Sequence, residues 1–265
     1  MKYFVFGDVH GYYSLLMEEL KRNGYNEENE NHMLISLGDN FDRGPENYKM
    51  YEFLKKMKQK NKIILVKGNH EDLFLEMIYS CTVKNRDIHN GTLSTMQELS
   101  VYYFGELEKN IFLTDPSRIY KKLNAVGFID FLYDMLDFYE TKSYIFTHGF
   151  IPVNEIDLKV EDDWRNSTET QFKRSRWLNG IEMSRRYNFG VDNKKIVVGH
   201  FHTSYGNVRK RYGDDLSYLK YKELEFSDDL SLFDIYEDER VIAVDACTAY
   251  SKKINILVLE EENEI

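Results

Sequence analysis

The sequence predicts an α/β fold built on a parallel sheet, and three observations carry that prediction. Short apolar runs alternate with amphipathic stretches through the first third of the 265 residues. Each short run ends in a glycine-containing turn rich in Asp, Asn and His. Asp8, Asp39 and Asn69, one from each of the first three turns, lie 31 and 30 residues apart, the length of one strand-helix-strand unit.

The elements follow in order. Residues 2–6 (KYFVF) read as a strand. Residues 12–22 place Tyr12, Leu16 and Leu20 on one helical face, with Leu15 beside them, and stop before Asn23-Gly24. Residues 33–37 (MLISL) form a second strand. Residues 45–60 are helical, with Met50, Phe53, Leu54 and Met57 at i, i+3, i+4, i+7 and Pro45 in the first turn. Residues 62–66 (KIILV) are a buried-strand run, and 70–79 are helical. Three strand-helix repeats imply a parallel sheet with right-handed crossovers. Residues 92–140 read as mainly helical, with a start signal at Thr114-Asp115-Pro116 and the helical repeat Leu132, Met135, Leu136, Tyr139. The second half turns to strands, at 143–146, 195–198, 241–244 and 254–259, separated by a charged stretch (157–176) and an acidic one (227–239). No repeat, low-complexity tract or linker interrupts the chain. We expect a single domain over 1–265 with a helical insertion at about 90–140.

Composition narrows the classes. An apolar fraction of 42% and an aromatic fraction of 15% exclude global disorder. A formal charge of −10 disfavours non-specific binding to nucleic acid or an anionic membrane. No apolar run approaches the roughly 18 residues of a membrane helix, and the first run is short for a secretory signal. Two distant cysteines, Cys81 and Cys247, have no metal spacing, so a disulfide framework is not expected and the cytoplasm is the expected location.

The strand ends carry the chemistry. They read Gly7-Asp8-Val9-His10-Gly11, Gly38-Asp39-Asn40-Phe41-Asp42-Arg43-Gly44, Gly68-Asn69-His70-Glu71, Thr147-His148-Gly149 and Gly199-His200-Phe201-His202-Thr203. Parallel strands place their C-terminal ends on one edge, where ligands bind in open α/β folds. Asp, Asn and His are oxygen and nitrogen donors without a thiolate. Asp8, His10, Asp39, Asn69, His148, His200 and His202 are too many for one tetrahedral ion and suit two ions sharing a carboxylate, a centre that catalyses in-line displacement at phosphorus. Histidines two apart project to the same side of an extended segment, which favours His200 and His202 as a pair. Five of the seven histidines fall in these turns; His32 and His89 are expected at the surface.

These motifs, in this order, resemble those of the calcineurin-like metallophosphoesterase superfamily, and the GDxxDRG and GNHE forms are similar to its bacterial and phage phosphoprotein phosphatase branch. The resemblance spans Gly7 to Thr203. It implies a four-layer α/β/β/α sandwich around a binuclear metal centre. It implies that Asp8, His10 and His202 hold one ion, Asp39 bridges, and Asn69, His148 and His200 hold the other. Manganese is the first expectation, with Fe, Zn, Co or Ni as alternatives. A hydroxide between the ions would attack phosphorus, Arg43 would bind the phosphoryl oxygens, and His70, oriented by Asp42, would protonate the leaving oxygen. A second phosphate-binding arginine is expected between Arg165 and Arg186, with Arg176 favoured over Arg165, Arg174, Arg185 and Arg186. The stretch Asp245 to Tyr250 departs from the eukaryotic branch, so protein-phosphatase specificity is not implied. The expected substrates are phosphomonoesters, including phosphoserine and phosphothreonine; dinucleoside polyphosphates are the alternative, and a non-catalytic scaffold is the third reading. Tyr102, Tyr103 and Phe104 in the insertion are packing residues first and candidates for stacking on a base second.

Overall fold

The structure is a computed structural model and describes residues 1–154, 156–187 and 191–262. Among the described residues there are nine strands: β1 (Lys2–Phe6), β2 (His32–Ser36), β3 (Ile63–Leu65), β4 (Phe138–Glu140), β5 (Tyr144–Thr147), β6 (Lys195–Val198), β7 (Tyr236–Glu237), β8 (Val241–Ala243) and β9 (Leu257–Glu260). They form two sheets, ordered β3-β2-β1-β9 and β4-β5-β6-β8-β7. β1, β2 and β3 are mutually parallel, as are β5, β6 and β8. The edge strands β4, β7 and β9 run antiparallel to their neighbours.

Period-two alternation sorts the strand side chains into layers. Phe4, Phe6 and Leu34 face helices α1 (Tyr13–Arg22), α2 (Asn47–Gln59) and α3 (Asn69–Ser80), meeting Leu16, Met50, Leu54 and Phe74. Val5, Ile35, Phe146, Val197, Ile242 and Val244 meet between the two sheets. Ile145, Ile196, Val198 and Val241 face the opposite way, against Trp164, Phe172 and Ile181. The order is therefore helix, sheet, sheet, helix, the sandwich expected from the resemblance.

The segment after α3 is helical, as expected, over α4 (Asn85–His89), α5 (Thr92–Phe104), α6 (Pro116–Ala125) and α7 (Phe128–Tyr133). Its apolar faces extend the first core through Met96, Leu99, Ile119, Leu123 and Phe128. α6 starts where Asp115 accepts from Arg118 N at 3.1 Å with Pro116 in the first turn. Tyr102 stacks on Tyr48 at 4.2 Å, and Tyr103 hydrogen-bonds Glu52, so these aromatics pack within the insertion and against α2. The span expected to be mainly helical ends early, because Phe138–Glu140 pairs with β5 as an edge strand. The second half adds α8 (Glu169–Ser175), α9 (Gly180–Tyr187), α10 (Ser204–Tyr212), α11 (Tyr218–Glu225) and α12 (Thr248–Ser251). His89 is exposed, whereas His32 is half-buried, with its ring 4.9 Å from Phe4. Among the described residues no helix is long and apolar enough to cross a membrane.

Candidate metal centre

The turns after β1, β2, β3, β5 and β6 converge. Gly68 and Gly199 permit the approach: a Cβ at Gly68 would overlap the Asp39 carboxylate, and one at Gly199 would overlap that of Asp8. Asp8, His10, Asp39, Asp42, Arg43 and His200 all adopt positive φ, between 45° and 74°. Left-handed backbone costs a non-glycine residue about 1 kcal/mol or more and persists where the surroundings fix it. Glu71 is one such fixture. Its buried carboxylate accepts from the main-chain N–H of Gly68 at 2.8 Å, Asp39 at 3.0 Å and Asn40 at 2.9 Å. Sequence reading saw this glutamate only as part of GNHE.

Asp39 lies at the centre. Its Oδ2 is 3.9 Å from His10 Nε2 and 3.8 Å from His70 Nε2, and its Oδ1 is 3.4 Å from His148 Nε2. Two compact donor groups share it: His10, Asp39 and His70 on one side, and Asp39, His148 and His200 on the other. The histidine tautomers follow from their outer partners. His10 Nδ1 donates to Phe41 O at 2.8 Å and His148 Nδ1 to Leu37 O at 2.7 Å, leaving both Nε2 lone pairs facing inward. His200 hydrogen-bonds the Trp177 main chain, which leaves Nδ1 facing Asn69 Oδ1 at 3.0 Å. Asn69 Oδ1 is also 2.8 Å from His148 Nε2. Three acceptors thus point at one another with no proton between them. Such spacing suits neighbouring ligands of one cation, which at bond lengths of about 2.1 Å stand about 3 Å apart.

Charge states agree. Burial first, then the neighbouring Asp245 and Asp39 carboxylates, hold the Asp8 carboxyl well above its ordinary range. Burial, with Glu71 adding to it, pushes Asp39 up to about 7 against the opposing pull of His70 and Arg43. Burial and the neighbouring cationic groups depress His10 and His148, and push His200 down to about 4. Neutral imidazoles beside buried carboxylates short of countercharge form a donor set that a divalent cation completes.

Arg43 reaches in from the rim. Its Nη1 donates to His10 Nε2 at 3.0 Å and its Nη2 to His70 Nε2 at 3.1 Å. His70 Nδ1 donates to Asp42 Oδ2 at 2.7 Å. Burial lowers the His70 pKa, but Asp39 and Asp42 outweigh it and the net shift is upward.

Two expected residues stand apart. His202 Nδ1 lies 2.9 Å from Ser204 Oγ and Nε2 3.5 Å from Glu225 Oε1. The extended-segment rule fails here because His200 is left-handed, at φ 63°, and α10 begins two residues past His202. Arg176 is buried, with Nη1 2.6 Å from Asp72 and Nη2 bonded to Asp137. Its guanidinium is thus already committed to two carboxylates. Arg165 pairs with Glu140 and Asp192, and Arg185 with Asp214; the Arg186 side chain lies outside the described residues.

Sequence reading missed three features. Asp245, buried at the end of β8, has its carboxyl pushed up to about 6 by burial and acts electrostatically on Asp8; the strand-end rule would have found it. A cavity of about 470 Å³ beside Asn69 is lined by Lys67, Lys173, Tyr79, Tyr133 and Trp177. Thr92 and Thr95 of α5 contact Asp42, and nothing in their sequence marks them.

The profile of the calcineurin-like phosphoesterase family matches residues 1–236. The chain belongs to the calcineurin-like phosphoesterase family. Over 72 residues the chain is 40% identical to serine/threonine-protein phosphatase 2 of Salmonella typhimurium and equally to that of Escherichia coli. The match spans 27% of this chain and 30% of the curated relatives' length. Among solved structures, a serine/threonine phosphatase from Saccharomyces cerevisiae aligns with TM-score 0.52 and 14% identity, covering 100% of this chain and 81% of that one. A structure assigned to a diadenosine tetraphosphatase aligns with TM-score 0.51 and 15% identity, covering 97% and 88%. At such identities the likeness is one of fold.

Proposed function

We propose that the chain hydrolyses phosphomonoesters, including phosphoserine and phosphothreonine esters, at a two-metal centre. Asp8, His10 and Asp39 would hold one ion, and Asp39, Asn69, His148 and His200 the other, with manganese the first choice. The observation that carries this reading is that His148 Nε2 and His200 Nδ1 approach Asn69 Oδ1 to 2.8 and 3.0 Å, lone pair to lone pair. When bound, the ions supply Lewis-acid stabilisation of phosphoryl charge and acidify water. The protein's own groups do the rest. Arg43 presents a planar fork to the phosphoryl oxygens and stabilises charge developing there. His70 Nε2, which here accepts from Arg43, would take up the acidic proton when Arg43 turns to the phosphoryl oxygens, because Nδ1–H is fixed on Asp42, and would deliver it to the leaving oxygen. The upward shift of His70 keeps that proton available near neutral pH.

A second reading, hydrolysis of dinucleoside polyphosphates, is supported by the cavity beside Asn69, where exposed Tyr79, Tyr133 and Trp177 offer faces to a base; its cations Lys67 and Lys173 are offset by Asp72, Glu76 and Glu169, with Lys173 paired to Glu169. The test is elemental analysis of purified protein followed by turnover of 4-nitrophenyl phosphate with and without manganese, and then of diadenosine tetraphosphate. We expect two metal equivalents and manganese-dependent release of nitrophenol. Protein that binds metal yet turns over neither substrate would instead be a scaffold.

A further inference from the structure

The first long helix of the insertion touches the loop that carries Asp42 and Arg43. Thr92, Thr95 and Glu98 are spaced by three along α5, so they share one face. Thr92 Oγ1 donates to Asp42 Oδ2 at 2.9 Å, the same oxygen that receives His70 Nδ1–H. Thr95 Oγ1 donates to Asp42 Oδ1 at 2.6 Å and accepts from Asp42 N at 3.1 Å. Glu98 acts one step further out. It accepts from Asn47 Nδ2 at 2.7 Å and Tyr48 N at 3.1 Å, and Asn47 Oδ1 in turn accepts from Asp42 N at 2.8 Å.

The backbone held in this way is strained, with Asp42 at φ 74° and Arg43 at φ 61°. Gly91, just before α5, packs so closely on the Arg43 main chain that a Cβ would overlap it. The Asp42 carboxylate is buried, and among the described residues the contacts from α5 account for the hydrogen bonds it receives besides that from His70. A buried carboxylate stripped of donors turns toward whatever donors remain. Any such turn carries the His70 ring with it.

We propose that Thr92, Thr95 and Glu98 are positioning residues that clamp the Asp42–His70 pair, which makes the insertion part of the catalytic apparatus. The proposal rests on His70 acting as the acid. General-acid help matters most for a poor leaving group, so misplacing His70 should discriminate between substrates.

The test compares Thr95→Val, Thr92→Val/Thr95→Val and Thr95→Ser with wild type and His70→Asn, all loaded with manganese. In the valine variants we expect kcat for an alkyl phosphate to fall about ten- to a hundredfold, and for 4-nitrophenyl phosphate within about threefold, with KM unchanged. Thr95→Ser, which keeps the hydroxyl, should recover the wild-type ratio. The low-field proton resonance of His70 Nδ1–H, recorded on metal-free protein, should shift in the valine variants and return in the serine variant. Metal content and unfolding midpoint, measured on each chain, identify a variant that has simply lost its fold, and Thr95→Ser keeps the question answerable. Equal losses for both substrates, or no loss for either, would overturn the clamp while leaving His70 as acid. A His70→Asn variant indifferent to the leaving group would overturn the acid reading and the clamp with it.

Discussion

In metal-free protein, Asp39 should make the fold less stable as pH rises. Its carboxyl ordinarily titrates at 3.8 and is pushed up to about 7 in the fold. Below both values the group is protonated folded or unfolded and contributes nothing. Between them the unfolded chain has released its proton and the folded chain has not, so each step up in pH favours unfolding until about pH 7, where the loss levels off. At about 1.36 kcal/mol per decade, the interval from about pH 4.5 to pH 7 is worth about 3 kcal/mol. His200 works in the opposite direction: lowered from 6.5 to about 4, it destabilises the fold as pH falls through that interval. Subtracting an Asp39→Asn chain, which keeps the histidines, isolates the carboxylate together with its pull on Asp8 and His70. Urea unfolding of chelator-treated wild type and Asp39→Asn, from about pH 4.5 to pH 8, should show the wild type losing about 3 kcal/mol relative to the variant. Manganese at a hundred times its dissociation constant should return about 2.7 kcal/mol to the wild type, and much less to the variant. A stability difference between the two chains that does not move with pH, or that moves the other way, would refute the electrostatic account of the centre.

Two further predictions concern the residues that stand apart. His202→Ala should leave the metal content at the wild-type value, because both ring nitrogens face Ser204 and Glu225; elemental analysis showing the loss of one equivalent would mean that the ring swings inward on loading. Arg176→Met should lower stability by about 3 kcal/mol by stranding the Asp72 and Asp137 carboxylates, with KM for 4-nitrophenyl phosphate held within about twofold. A raised KM at unchanged stability would instead place that guanidinium on the substrate.

Much of this molecule was legible because its message is carried by period and punctuation. The apolar runs at 2–6, 33–37 and 62–66 are strands within a residue or two, since each alternates between two cores and must be apolar on both faces. The turns that follow them announce themselves by composition. What escaped was set by distant neighbours. β7 has two residues and β4 three, too few to show a period, and both exist because a longer strand offers them an edge. The spacing of His200 and His202 reads as a ligand pair only on extended backbone, and a single left-handed residue undoes it. Thr92 and Thr95 are ordinary helix residues until the chain brings Asp42, fifty positions earlier, against them.

The centre draws on both sheets: Asp8, Asp39 and Asn69 follow strands of one, His148 and His200 strands of the other. Between them lies a layer of apolar side chains, which resists sliding weakly, crossed near the centre by hydrogen bonds such as His148 Nδ1 to Leu37 O and His200 N to the Asp8 carboxylate. A cation gripped by Asn69, His148 and His200 would therefore work as a rivet through the sandwich, closing chain loops of 79 and 52 residues that the unfolded polymer would have to reopen. The same ions that serve chemistry would set the stiffness of the whole body, and a cell short of the metal would hold a looser protein as well as an idle one.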